Sequence, residues 1–322
     1  MSRGTDNQHK AVAAAGWLWT KSRPYRYLAP AAILLSAFAI YPLFHALHMS
    51  LHSHRGRFVH LENYKTLVTE TEFWRSLGVS VWYVVGTVPI TLILGFLIAN
   101  LLFQRLRALG LFRTIYFLPY VTSTVAAAMV WRWIFSPNSH GLANTVFQWL
   151  GVDAQRWYYE PTGVFILLGE ALGIHVPGWA GGPSLALVCV MIFSIWHTLG
   201  FDIVIFLAGL SAIPREMYEA AEVDGANGWQ RMRSITFPLL TPTLFFLAII
   251  STIRSFQTFN QIYIMTPTAN RAATQNLTML IFHRYYENPD YGVATAVACA
   301  LFLIILALTA VQIKVLGPKV HY

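Results

Sequence analysis

Long apolar runs alternate with short polar intervals along this chain. Six of them reach or exceed the roughly 20 residues that cross a hydrocarbon core of about 30 Å as a helix. They cover Tyr27–Leu51, Val79–Phe103, Leu111–Phe135, Ser184–Leu210, Leu239–Met265 and Gly292–Val315. The pattern predicts an all-α integral membrane protein with six transmembrane helices. The first run follows Lys21, Arg23 and Arg26 with no small-residue cleavage site behind it, so it reads as a retained span. The longest polar interval, about 136–183, gives an enlarged outer loop between spans three and four. Within it Val164–Ile174 is apolar but only half a span long, as expected of a segment lying along the membrane surface or packed on the spans. Its aromatics, Trp149 and Trp157-Tyr158-Tyr159 among them, read as an interfacial belt, with a carbohydrate-stacking surface as the alternative.

Composition agrees with a membrane protein. Hydrophobic residues make up 56% of the 322 positions and charged residues 11%, against about 25% charged in soluble domains. The formal charge of +8 does not point to nucleic acid, because Lys and Arg sit at the ends of apolar runs instead of in clusters. With the N-terminus inside, the inner segments hold thirteen Lys and Arg and the outer ones seven. The expected protein is thus a multi-pass component of a bacterial or archaeal cytoplasmic membrane with both termini cytoplasmic. It has a tail over 1–26, a transmembrane domain over 27–322 and a cytoplasmic loop over about 211–238. Cys189 and Cys299 lie inside apolar runs and read as packing residues.

Catalytic signatures are missing from the sequence. There is no phosphate-cradling glycine loop, no H-E-x-x-H, no paired-cysteine metal motif and no nucleophile set. His45, His48, His52, His54 and His60 follow the first span at irregular spacing and read as a solvated or interfacial segment. No catalytic residue, metal ligand or cofactor is therefore assigned, and the chain is read as no enzyme.

Polar side chains within spans are costly and face a cavity or another helix. Ser251, Arg254, Ser255 and Thr258 fall at i, i+3, i+4 and i+7 of the fifth span, and Gln261 extends that face by a turn. Ser194, His197, Thr198 and Phe201 line a face of the fourth, with Asp202 beside it. Arg254 lies about 24 Å from Pro238 and His197 about 18 Å from Gly209 along their helices, so both stripes sit at mid-depth. Taken together they predict a hydrophilic path. The plainer reading is helix–helix adhesion, with Asp202 paired to Arg254. Arg132, close to the end of span three, is expected to snorkel to the interface.

Between these stripes lies a charged island. Glu216, Glu219, Glu222 and Asp224 are four of the chain's fourteen acidic residues. Pro214 suits the first turn of a helix, and the acids suit its positive N-terminal end. Met217, Ala220 and Ala221 make a small apolar face, Asp224-Gly225 is a stop signal, and a second short helix fits Asn227–Ile235 ahead of Pro238. The plain alternative is an ordinary loop.

The spacing Glu219-Ala220-Ala221, Gly225, Ile235-x-x-Pro238 resembles the EAA loop of binding-protein-dependent ABC importer permeases, with Phe237 where that family has Leu. Tyr27-Leu28-Ala29-Pro30, Asn63-Tyr64, Phe117-Leu118-Pro119, Trp131–Phe135 and Gly141-Leu142-Ala143-Asn144 are similar to the carbohydrate-uptake branch, which includes the maltose and glycerol-phosphate permeases. The pattern is departed from at Asp153–Pro183, which resembles an added outer segment, and at Thr266–Asn270, where a glycine-rich turn is usual. The resemblance implies a second permease subunit forming a heterodimer, an ATP-binding cassette ATPase dimer that binds ATP and Mg, and an extracytoplasmic solute-binding protein. It implies ATPase coupling through Glu219, Ala220, Ala221, Asp224, Gly225 and Pro238. It also implies a substrate path along Ser194, His197, Phe201, Ser251, Arg254, Ser255 and Thr258, for a sugar or oligosaccharide. An anionic sugar is included because a guanidinium suits carboxylates and hydroxyls alike. The competing reading is an ion-gradient carrier using Asp202 and His197 as a proton relay; a membrane scaffold using the loop only for binding is a third.

Overall fold

The computed structural model describes residues 27–103, 109–138, 141–266 and 270–319. The expected tail over 1–26, Arg105, Arg107 and positions 267–269 of the Thr266–Asn270 turn lie outside the described residues. Among the described residues the secondary structure is helical, with two isolated β-bridges, His52 to Phe58 and Gly163 to Ser184.

In chain order, α1 spans Tyr27–Ser50, and α2 (Glu62–Thr69) leads into the long α3 (Thr71–Phe103). Helices α4 (Leu109–Val121) and α5 (Thr124–Ile134) follow. The short α6 (Leu142–Trp149) and α7 (Val164–Leu172) belong to the 136–183 segment. Then come α8 (Leu185–Ser211), α9 (Arg215–Val223), α10 (Gly228–Leu239), α11 (Thr241–Phe256) and α12 (Asn260–Met265). The short α13 (Leu277–Phe282) precedes α14 (Tyr291–Leu316).

Helices α1, α3, α8 and α14 are long and apolar enough to cross a membrane unbroken. Their ends match the apolar runs closely except at α3, which starts at Thr71, ahead of the run at Val79. The helix continues because its first turn, with Glu72, is bonded to other chain segments outside the apolar zone: Gln275 donates to Glu72 at 3.0 Å and Arg284 bridges Glu70 and Glu72.

The third and fifth expected spans are not single rods. Helices α4 and α5 meet at 94° and α10 and α11 at 61°, so a count of six holds if each bent pair is one span. The first break has a local cause. Pro119, inside the last turn of α4, leaves one rung of the ladder without its N–H, the Thr122 hydroxyl donates to the Pro119 carbonyl at 2.6 Å, and Ser123 turns extended before α5 starts. The fifth expected span is also interrupted after Phe256, and Asn260 opens the separate α12.

Helices α3 and α8 share the most extensive contact; α4 lies along α8, and α11 packs on α3, α8 and α14. In hydrocarbon such contacts are held by close packing, since lipid tails are as apolar as the side chains they replace. One cluster joins Leu92, Ile203, Phe206, Leu210 and Leu247; another joins Phe135, Trp157, Phe193, Ile262 and Met265. A third, with Phe73, Phe256, Leu280 and Val297, ties α13 and α14 to α3. The closest approach is at Gly200. A Cβ there would stand 2.0 Å from the Tyr116 carbonyl oxygen, so only hydrogen fits where α8 crosses α4.

Candidate functional site: a polar cavity and an exposed helical hairpin

The break between α11 and α12 and the break between α4 and α5 open onto the same space, a cavity of about 300 Å3 bounded by α3, α4, α5, α8, α11 and α12. Ser194 and His197 of α8 reach it from one side; Ser251, Arg254, Ser255 and Thr258 reach it from the other. Six of the seven substrate-path candidates thus share one wall surface. The seventh, Phe201, stands behind Arg254, whose guanidinium lies 4.4 Å from the Phe201 ring centre and 5.7 Å from that of Tyr120.

The third helix of the wall was missed. Tyr83, Thr87 and Thr91 of α3 line the cavity at i, i+4 and i+8. The Tyr83 hydroxyl donates to Ser194 Oγ at 2.7 Å, and the Thr87 and Ser255 hydroxyls approach to 3.4 Å, so α3 ties the two stripes together. That hydroxyl face is a sequence signal of the same kind as the one in the fifth span. Tyr120 and Thr124 were also missed, and no periodicity could have found them, because they sit on opposite sides of the break between α4 and α5.

Two expectations are corrected. Asp202 and Arg254 both line the cavity but do not come within 4.0 Å as an ion pair. Arg254 instead faces two aromatic rings, where its charge interacts with their π faces. Arg132 does not snorkel free: its Nη1 donates to the Ile264 carbonyl at 3.2 Å and its guanidinium lies 5.7 Å from the Tyr158 ring centre. It serves the last turn of α12, a C-terminal end that favours a cation.

Histidines after the first span stack on neighbours: His54 on Tyr291 at 5.5 Å, and His48 near His52 at 4.2 Å. Asn144, at the end of the Gly141–Asn144 motif, is fully buried. It brackets the 136–183 segment, accepting from Trp157 Nε1 at 2.6 Å and Gln155 N at 2.9 Å while its amide faces four backbone carbonyls.

At the far end of α8 stands the charged hairpin. Pro214 stands one position ahead of the expected first turn, extended at the N-cap of α9 and without a side-chain capping bond. Asp224 closes α9 and Gly225 takes φ +76°, a left-handed conformation suited to glycine. The Ala226 N–H returns to the Ala221 carbonyl at 2.8 Å, completing the turn. Asn227 and Gln230 form a reciprocal capping box that starts α10. The hairpin is clamped by Arg231 near Glu222 at 3.6 Å and by the Tyr218 and Thr236 hydroxyls at 3.0 Å. No residue of α9 is buried, and Met217, Val223 and Trp229 face outward. The side chains expected to touch a partner are therefore free to do so within this chain.

Apolar helices around a polar cavity are the make-up of a polytopic membrane protein with a solute path. The chain belongs to the family described as binding-protein-dependent transport system inner membrane component, whose model matches residues 72–322. It is 32% identical over 296 residues to the trehalose/maltose transport system permease protein MalF of Thermococcus litoralis, covering 90% of this chain and 92% of that one. It is 31% identical to the lactose transport system permease protein LacF of Rhizobium radiobacter, over 92% of each chain. Its fold is that of a chain in the crystal structure of a bacterial ABC transporter involved in the import of the acidic polysaccharide alginate, with TM-score 0.77, 21% identity, and 94% and 98% of the two chains covered.

Proposed function

We propose that this chain is the permease subunit of an ATP-driven importer and that, with a second permease in a heterodimer, it forms the path for a sugar or oligosaccharide. The observation that carries this reading is the cavity wall. Serine, threonine and tyrosine hydroxyls from α3, α8 and α11 face one guanidinium set against two aromatic rings. A sugar presents both hydroxyl edges and flat C–H faces, and this wall offers partners for each. Arg254 suits a carboxylate as well as a pair of hydroxyls, so an anionic sugar falls within the same reading. The names of the relatives, which refer to trehalose/maltose, lactose and alginate, support the substrate class.

In this proposal an extracytoplasmic binding protein delivers the solute, and an ATPase dimer holds ATP and Mg. The ATPase grips the α9–α10 hairpin at Glu219, Ala220, Ala221, Asp224, Gly225 and Pro238, on the cytoplasmic side with both termini. Rocking of that hairpin moves α8 and α11, which it joins directly in sequence, and those helices carry the cavity's two stripes. Solute contact falls to Ser194, His197, Phe201, Ser251, Arg254, Ser255 and Thr258. The test is uptake of labelled maltose, trehalose and lactose in proteoliposomes holding the chain with its permease, ATPase and binding-protein partners. Uptake is expected only with internal ATP, and Arg254→Ala is expected to lower it by about tenfold or more, the scale of one lost charged contact. Uptake driven by a proton gradient without the ATPase would return the function to the carrier reading through Asp202 and His197.

A further inference from the structure

Two charged side chains line the cavity among its described residues, Arg254 and Asp202, and the second has no task in the path as drawn so far. Asp202 is 2% exposed, and its buried Oδ2 accepts no hydrogen bond. His197 Nε2, on the same helix and the same cavity, also has no partner. The stem of Asp202 is held from behind by α3: its Cβ lies 3.1 Å from where a Cβ on Gly95 would stand. The carboxyl is therefore fixed on the wall, its Oδ2 without a donor within the chain and not in an ion pair with Arg254.

A buried acceptor without a donor is costly, and a ligand that brings the donor recovers that cost on binding. A sugar hydroxyl brings one. A carboxylate brings none, and within a cavity of about 300 Å3 it would share poorly screened space with Asp202. Resting on the sugar reading above, we propose that Asp202 is a specificity-determining residue that accepts a hydrogen bond from a solute hydroxyl. By balancing the charge of Arg254 it selects neutral sugars over uronic acids, although Arg254 alone fits both.

The test is direct binding to the complete transporter complex in nanodiscs without the binding protein, so that delivery does not set the selectivity. Labelled maltose, trehalose and lactose serve as neutral probes, and digalacturonate as the anionic one. The wild type is expected to bind a neutral disaccharide at least about tenfold more tightly than digalacturonate, the scale of one charged contact. Asp202→Asn keeps the side-chain shape but removes the charge, and is expected to shrink that ratio by about tenfold. Asp202→Glu is expected to keep the preference. A merely structural aspartate would alter complex yield or unfolding temperature without moving the ratio, and an unmoved ratio in Asp202→Asn overturns the proposal. So does a wild type that prefers digalacturonate. If no saccharide of either kind binds, the sugar reading itself falls and this inference with it; the first two results leave that reading standing.

Discussion

Replacing Gly200 by alanine is the sharpest perturbation the fold offers. The added carbon would stand 2.0 Å from the Tyr116 carbonyl oxygen, 2.8 Å from its carbon and 3.0 Å from Phe117 Cα. All three are backbone atoms, so no side chain can swing aside. A carbon and an oxygen rest at about 3.3 Å or more, so α8 and α4 must part by about 1.3 Å. Overpacking of this kind costs about 1–3 kcal/mol. The same displacement reaches the cavity, because Phe201 follows Gly200 on α8 and Tyr120 lies one turn beyond Tyr116 on α4. Their rings are 5.1 Å apart and together flank Arg254. Loss of that flanking is worth about 0.5–2 kcal/mol, or a solute affinity lower by about two- to thirtyfold. The assay pairs thermal unfolding of the purified full-length chain in nanodiscs with solute binding by the complete complex. Gly78→Ala is the control: nothing lies within 4 Å of the added carbon, and the helix gains up to about 1 kcal/mol. If Gly200→Ala matched wild type in both readouts, the close α4–α8 contact would be wrong.

Two further predictions concern the two ends of the molecule. Gly225→Val should cost about 1–2 kcal/mol of hairpin stability because of its φ of +76°, while Gly225→Asn should stay near wild type; ATPase co-purification measures the difference, and equal losses in both would show that the limit is contact with the partner instead of the backbone. Asn144→Ala removes the acceptor of Trp157 Nε1 and Gln155 N, at about 1–3 kcal/mol for each buried group left unpaired; limited proteolysis of the full chain should then cut within 150–183 faster than in wild type, and an unchanged cutting rate would mean the segment is held by other contacts.

Much of the site was readable without coordinates because helical periodicity is a local property. A stripe at i, i+3 and i+4 lies on one face whatever that helix packs against, so Ser251, Arg254 and Ser255 and the Ser194–His197 face could be assembled from spacing alone, whereas Thr258 lies past the end of α11 and reaches the cavity from the break before α12. The same rule applied to Tyr83, Thr87 and Thr91 would have found the third wall. The hairpin was legible for a related reason. The turn at Asp224-Gly225 and the cap at Asn227 are set by residues within four positions of each other.

What spacing could not supply was the partner of each polar group. An arginine and an aspartate in neighbouring spans invite the assumption of an ion pair, yet whether their tips meet depends on the rotation and depth of two separate helices. Arg132 illustrates the same limit, since its acceptor, Ile264 O, is 132 positions away.

By itself the sequence determined the long apolar helices, their approximate ends and the two polar faces, because crossing length and face are consequences of rise and residue type within one segment. Tertiary structure alone decided that the third expected span bends by 94°, that α10 meets α11 at 61°, and that the breaks beside Pro119 and Phe256 open onto one cavity. It also decided that Asp202 stands there unpaired. A break frees backbone groups that only neighbouring segments can accommodate, and a side chain's partner is fixed by packing between helices far apart in the chain.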